Sequence, residues 1–246
     1  MMEVATLPDP VLDEIRRTRR HPRYTQPEYL VLRFLLANLE TVLGEVRHPV
    51  RDVLDLYCGT SPYRDLVPPH TRYVTFDINE RYGVPDIVSE EFLPLPDSSF
   101  DLILFTEAFH YLPDPEHAVA ELRRVLRPGG TLVMTVPLVW EYDRRIVERR
   151  YTGPHLVALF EGWDEVRVME NGGYSVTWAT VTGRVMRGIV ELSPARTRGW
   201  LGVPLKLGAL LVNFVGTLLA RSELRWHTGP YMLPFGLTVT ARRPLE

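Results

Sequence analysis

Between residues 53 and 136 the chain alternates short, continuous apolar runs with helical or polar segments, and nothing else in it constrains the fold as tightly. Val53-Leu54-Asp55-Leu56-Tyr57 reads as a first strand and Tyr73-Val74-Thr75-Phe76-Asp77 as a second. Ile87-Val88 marks a short third strand, Phe100 to Phe105 a fourth and Thr131 to Val136 a fifth. Strands that are apolar throughout and separated by helices belong to a parallel sheet covered on both faces. Before the fifth strand, Asp114 caps a helix with Pro115 in its first turn, and Pro128-Gly129-Gly130 ends it. Val119, Leu122, Val125 and Leu126 form that helix's apolar stripe. Val166 to Met169 and Leu237 to Ala241 alternate apolar and polar residues, the pattern of an antiparallel pair at a sheet edge. The expected fold is an open α/β sheet with helices on both faces, mostly parallel, with an antiparallel C-terminal edge pair. Its ligand belongs at the carboxyl ends of the strands.

The flanks divide the rest. Residues 1–48 read as an N-terminal helical extension, 49–185 as the core, 186–230 as a helical cap or insertion, and 231–246 as the final edge strand, all in one domain. Thr25-Gln26-Pro27-Glu28 has the form of a capping box. Leu30, Phe34, Leu35, Leu39 and Leu43 follow at helical spacing, and Gly44 is the stop. In the insertion, Lys206, Asn213, Thr217 and Arg221 share one narrow helical stripe with apolar residues around the rest, so burial on most of the circumference is expected. That helix is read as capping the ligand edge or packing on another surface, with core or dimer contact favoured over membrane. The apolar run 201–220 is interrupted by Pro204, Lys206 and Asn213, which weakens a spanning role and leaves peripheral membrane contact.

Composition excludes several classes. A single cysteine, Cys58, allows no internal disulfide and no cysteine-based zinc cluster, and no metal ligand set is expected. The first twenty residues lack the apolar core of a signal peptide, so a cytoplasmic location is expected. A net charge of −3 disfavours a broad nucleic-acid face; RNA binding would need a local patch such as Arg144-Arg145 to Arg149-Arg150. Oligomeric state is left open.

Asp55-Leu56-Tyr57-Cys58-Gly59-Thr60-Ser61 is the turn after the first strand, where small residues let backbone amides approach a ligand and a following helix would add its dipole. Asp77 ends the second strand, placed to accept hydrogen bonds from ribose hydroxyls. A dinucleotide site wants G-x-G-x-x-G for a pyrophosphate. The turn here is Tyr57-x-Gly59-x-Ser61 with Asp55 before it, which suits a ligand with a cationic end and no phosphate. A nicotinamide-dependent oxidoreductase is disfavoured on that ground.

At this point the chain resembles the class I S-adenosylmethionine-dependent methyltransferases, in the small-molecule branch that includes quinone-biosynthesis enzymes. The likeness rests on Val53 to Thr60, Val74 to Ile78, Leu93-Pro94-Leu95-Pro96-Asp97-Ser98-Ser99-Phe100-Asp101, Thr106 to Pro115 and Glu121 to Gly130. It implies a Rossmann-like sheet, S-adenosyl-L-methionine as cofactor, and in-line methyl transfer to a small or lipid-like acceptor. By the same likeness, Asp55 and Gly59 border the methionine end, Tyr57 and Thr60 belong to the cofactor site, Asp77 binds the ribose and Ile78 lies against the adenine. Ser89 or Glu90 stands where the family has an aspartate for the adenine amino group. Thr106 and Glu107 line the site near the transferred methyl. His110 is the first candidate for a general base, with Tyr111 and Glu107 behind it. A cofactor-binding but inactive partner protein and an RNA methyltransferase are the alternatives. The latter lacks a thiolate nucleophile, because Cys58 sits inside the cofactor turn.

Overall fold

The structure, a computed structural model, describes residues 6–141, 147–226, 229 and 233–246; at 195–198, 200, 201 and 226 only the backbone is described. Helices α1 (Asp9–Arg20) and α2 (Tyr29–Gly44) lead into strands β1 (Asp52–Leu56), β2 (Arg72–Asp77), β3 (Ile87–Val88) and β4 (Phe100–Thr106). Helix α3 (Pro115–Val125) precedes β5 (Leu126–Pro137), then α4 (Gly153–Leu159), β6 (Asp164–Glu170), α5 (Tyr174–Leu192), α6 (Ala195–Trp226) and β7 (Gly236–Arg242).

The seven strands form one sheet in the order β3-β2-β1-β4-β5-β7-β6. The first five are parallel, and β7 inserts antiparallel between β5 and β6. Because side chains alternate faces along a strand, each apolar run supplies two cores. Leu54, Leu56, Phe76, Ile103, Phe105 and Met134 pack with α3 and α4 on one face. Val53, Leu102, Leu104 and Val133 pack with α2, α5 and α6 on the other. The chain reverses direction across the sheet at β1, between β2 and β4, so the carboxyl ends of these strands frame a crevice.

Asp114 caps α3 as expected, its carboxylate accepting from the His117 amide at 2.9 Å. The Pro128-Gly129-Gly130 turn is not a separate stop. It bulges out of a longer β5, whose register with β4 jumps between the Phe100–Leu126 and Leu102–Thr131 pairs.

Three expectations are corrected. The capping box at 25–28 does not form: α2 starts at Tyr29 without a side-chain cap, because the Glu28 carboxylate pairs with Arg184 at 2.6 Å. No α-helix lies between β1 and β2 among the described residues. Pro62, Pro68 and Pro69 restrict that connection, and only a three-residue 3-10 turn (Arg64–Leu66) forms, so no helix dipole adds to the turn. Finally, α6 is not buried on most of its circumference. Only one side packs, on α2 and α5, and the boundary drawn at 185/186 falls inside α5.

Glycine sets that packing. A Cβ added at Gly216 would sit 2.7 Å from both Ala179 Cβ and Leu30 Cδ1, whereas one at Gly202 would meet nothing within 4 Å. The Gly216→Ala variant should therefore lose about 1–3 kcal/mol to overpacking. Gly202→Ala should instead gain about 0.5–1 kcal/mol of helix propensity. Urea midpoints of the two variants check the opposite signs.

Candidate functional site

Left-handed backbone gathers at the carboxyl edge of the sheet. After β1, Tyr57 (φ 52), Gly59 (φ 52) and Ser61 (φ 47) all adopt positive φ, and Glu107 (φ 57) does so after β4. Such conformations cost about 1–3 kcal/mol at a non-glycine residue and cluster where strain serves a site. At Glu107 the strain is held by its amide, which donates to the Thr135 carbonyl at 2.9 Å and lies 3.0 Å from the Thr135 hydroxyl.

The two aspartates of the crevice have different jobs. Asp77 sits at the end of β2 with Oδ2 accepting from the Gly59 amide at 2.9 Å and Oδ1 from the Ile78 amide at 2.8 Å. Burial raises its carboxyl, and the amides of Gly59, Ile78 and Asn79 oppose the rise. Asp55 is only 2% exposed and turns inward, where Tyr73 Oη donates to Oδ2 at 2.8 Å. Burial pushes the Asp55 carboxyl up to about 7, against hydrogen bonds from Ser61 and Tyr73. Asp55 thus orders the turn from beneath, rather than presenting a charge to a ligand.

That shift has a measurable consequence. A carboxyl whose folded pKa is raised binds its proton more tightly folded than unfolded. Its contribution is fully present below the unfolded value near 3.9 and is lost as pH rises through about 7. Asp55→Asn should remove this loss, so that its melting temperature gains on wild type as pH rises from about 4 to about 7.

Tyr57 turns its ring onto Phe105, Phe76 and Phe92, with centroids at 5.5, 6.0 and 6.3 Å, making an apolar wall beside Asp77. Ile78 is exposed (45%) just beyond it. Thr60 is buried, and its carbonyl accepts from Arg16 Nε at 2.9 Å. The Ser89 amide donates to the Asp77 carbonyl at 3.1 Å, which keeps Ser89 near the turn, and Glu90 is exposed. Cys58 is buried and burial raises its thiol, so it is no nucleophile.

Next to this crevice lies a cavity of about 280 Å³ lined by residues that include Arg19, Leu32, Glu107, His110, Trp140 and Arg184. His110 is 2% exposed, and neither ring nitrogen has a hydrogen-bond partner among the described residues. Burial, with the Arg150 charge adding to it, pushes its pKa down to about 4, so the imidazole is neutral at physiological pH. Tyr111 packs its ring on that of His110 at 3.9 Å and also lines the cavity. Burial raises the Glu107 carboxyl above its usual range, while Arg19 and the Thr135 hydroxyl oppose the rise. Thr106 ends β4 half-exposed, one residue before Glu107.

The expected residues therefore fall into two adjoining groups. Tyr57, Gly59, Asp77, Ile78 and Ser89 surround the turn, while Glu107, His110 and Tyr111 line the cavity. Sequence reading missed Arg16 and Arg19 of α1, and Trp140 and Arg184, where the guanidinium lies 4.4 Å over the indole ring. Arginines on a polar helix carry no local mark of what they reach. Arg149 and Arg150 do not form a free basic patch: Arg149 donates to the Leu112 carbonyl at 2.8 Å and Arg150 pairs with Glu148 at 2.7 Å. Arg144 and Arg145 lie outside the described residues. A larger hollow of about 710 Å³ opens at the opposite edge, beside the start of β5 and the end of α2. There Arg167 pairs with Glu45 and Arg242 with Glu165, away from the strained turns.

Comparison with known proteins places residues 54–134 in a family described as a methyltransferase domain. The 2-methyl-6-phytyl-1,4-hydroquinone methyltransferase of Synechocystis is 26% identical over 195 residues, 73% of this chain and 57% of that protein. An uncharacterised methyltransferase of Mycobacterium bovis is 48% identical over 101 residues, 37% of this chain and 40% of that protein. Across the curated relatives compared, the aligned stretches span 15% to 57% of the relative's length. Among solved structures, the [4+2]-cyclase SpnF superposes with a TM-score of 0.54 at 17% identity, covering 87% of this chain and 82% of its own. A S-adenosylmethionine-dependent methyltransferase of Archaeoglobus fulgidus gives 0.51 at 13% identity, covering 94% and 99%. At these identities the structures speak to the fold alone.

Proposed function

We propose that the protein, whose residues 54–134 match a methyltransferase domain, transfers the methyl group of S-adenosyl-L-methionine to a small or lipid-like acceptor seated in the 280 Å³ cavity. The observation that carries this reading is a juxtaposition. A strained turn with a ribose-type carboxylate adjoins a cavity holding a neutral histidine whose two nitrogens have no partner among the described residues.

The turn fits the cofactor. A side chain added at Gly59 would meet no atom within 4 Å, so the backbone there is open to a ligand, and Asp77 stands at the same turn. When bound, S-adenosylmethionine supplies a methyl made electrophilic by its sulfonium. Asp77 would hold the ribose hydroxyls, each oxygen having a lone pair beyond the amide it already accepts. Ile78 would cover the adenine, Ser89 or Glu90 would meet its amino group, and Thr106 would line the wall toward the acceptor. Gly59 and Thr60 would border the methionine end, with Asp55 holding the turn in shape and Tyr57 walling it. His110, its imidazole neutral at physiological pH, would take the proton of a phenol or ammonium acceptor. Tyr111 and Glu107 would position the acceptor around it. Most of the rate would come from alignment, since the methyl donor is already activated.

The single functional unit 1–246, a cytoplasmic location and peripheral membrane contact through 201–220 belong to the same proposal. The hydroquinone acceptor named for the Synechocystis relative supports a lipid-like substrate. The lid role for α6 has no support, because none of the described residues lining the cavity comes from that helix.

Calorimetric titration with S-adenosylmethionine, followed by a panel of phenolic, amine and prenylated acceptors with a labelled methyl donor, tests the proposal. Saturable binding and label transfer are expected. Binding without transfer to any acceptor would leave a cofactor-binding partner protein, and no binding would end the reading.

A further inference from the structure

The outer faces of α5 and α6 are apolar along most of their length. On α5, Tyr174, Trp178, Val181, Val185, Ile189 and Leu192 recur at three- and four-residue steps, all exposed. On α6, Val203, Leu207, Leu211, Phe214 and Leu218 repeat the pattern, with Leu211 62% and Phe214 54% exposed. The opposite sides are fixed to the protein. Gly183 abuts Pro27, and Asn213 Nδ2 donates to the carbonyls of Tyr24 and Gln26 at 2.7 and 2.9 Å. The two helices pack on one another, so their stripes form one broad face, of a kind that soluble monomers rarely leave open.

Charge selects the occupant. Residues 174–226 contain seven Lys or Arg and two Glu, a net +5 in a chain of −3, so the remainder carries −8. Arg184 pairs with Glu28 and Glu141 and Arg187 with Glu28 and Glu191, so the outward charge rests on the remaining cations. Glu223 is buried and accepts from the Tyr174 and Ser175 amides at 3.1 and 3.2 Å, and Glu191 is paired with Arg187 at 2.8 Å. Lys206, Arg221 and Arg225 are exposed, and the last two continue the α6 stripe beyond Leu218. A second copy meeting this face about a two-fold axis would bring like charges together. An anionic bilayer accepts both the apolar stripe and the cations, and Trp and Tyr favour its interface. Gly202–Arg225 of α6 is long and apolar enough to cross a membrane, but Asn213 and Glu223 anchor its inner side in protein, which favours a helix lying in the membrane plane.

We propose that the α5–α6 pair docks flat on an anionic lipid bilayer. This deepens the peripheral contact through 201–220, and it rests on the methyltransferase reading in one respect, the acceptor's route. Arg184 and Arg187 of α5 line the cavity that holds His110, so an acceptor leaving the bilayer would enter beside the docked helix.

Sedimentation of the full chain with vesicles of phosphatidylcholine, alone or mixed with phosphatidylglycerol, tests the surface without using activity. Binding should require the anionic lipid and weaken with salt. Arg221→Gln and Arg225→Gln should each lower it about fivefold. The double change Leu211→Gln with Phe214→Gln should abolish it, and cofactor affinity should stay at the wild-type value in every variant. Three results would overturn the proposal: no vesicle binding, equal binding to both vesicle types, or a lipid-free dimer lost in the Leu211→Gln chain. Failure of wild type to bind S-adenosylmethionine would instead strike the enzymatic reading and leave the vesicle result standing.

Discussion

Asp77→Ala should weaken S-adenosylmethionine binding about 10- to 100-fold, the equivalent of roughly 1.5–3 kcal/mol for hydrogen bonds to a charged acceptor. Two losses combine. The ribose hydroxyls lose their acceptor, and the Gly59 and Ile78 amides lose the carboxylate that shapes the turn. Asp77→Asn separates the two contributions, since its remaining carbonyl oxygen can serve one of these donors but carries no charge. Calorimetry should therefore rank wild type above Asp77→Asn and Asp77→Asn above Asp77→Ala. An unchanged affinity in the alanine variant would remove Asp77 from the cofactor site.

For His110→Ala, the expected result is a fall in methyl-transfer rate of about 10²- to 10⁴-fold with cofactor affinity intact. The size follows from losing a positioned base, and the selectivity from its place in the cavity and not at the turn. Its pH signature is distinctive. With the imidazole at about 4, the wild-type rate should hold down to pH 5, below the ordinary histidine range near 6.5, and then drop. The alanine variant should lack that acidic limb.

Stability gives a second signature for the same residue. A histidine whose folded pKa is depressed makes the unfolded state bind the extra proton. Its contribution is present above about 6.5 and is lost as pH falls towards 4. Asp55 changes in the opposite sense over an overlapping window, so the wild-type profile there is a partial cancellation. Each single variant should uncover the slope of the other. A rate loss in His110→Ala with unchanged pH dependence would assign the residue to packing.

Local signals were legible from the residues alone. Asp114 before Pro115 makes a cap because the carboxylate needs only the amide three positions on. Strand positions were equally readable, because a strand covered on both faces must be apolar at every step. The capping box at 25–28 failed for the opposite reason: Arg184, distant in sequence, competes for Glu28. Asp55 was read as a charge facing the ligand, but its neighbours in space enclose it and Tyr73 supplies its partner.

What the sequence determined by itself was the sheet, its antiparallel edge, and the turn-plus-aspartate arrangement at the ends of β1 and β2. Those features follow from periodicity and from contacts spanning a few residues, whose cost and gain are settled locally. The tertiary structure decided which groups are buried and which helical faces remain in water. It withdrew Asp55 into the interior, left His110 neutral beside a cavity, brought Arg19 across from α1, and turned apolar stripes of α5 and α6 outward. Desolvation and long-range pairing depend on what the rest of the chain places nearby, and no short stretch of residues encodes that.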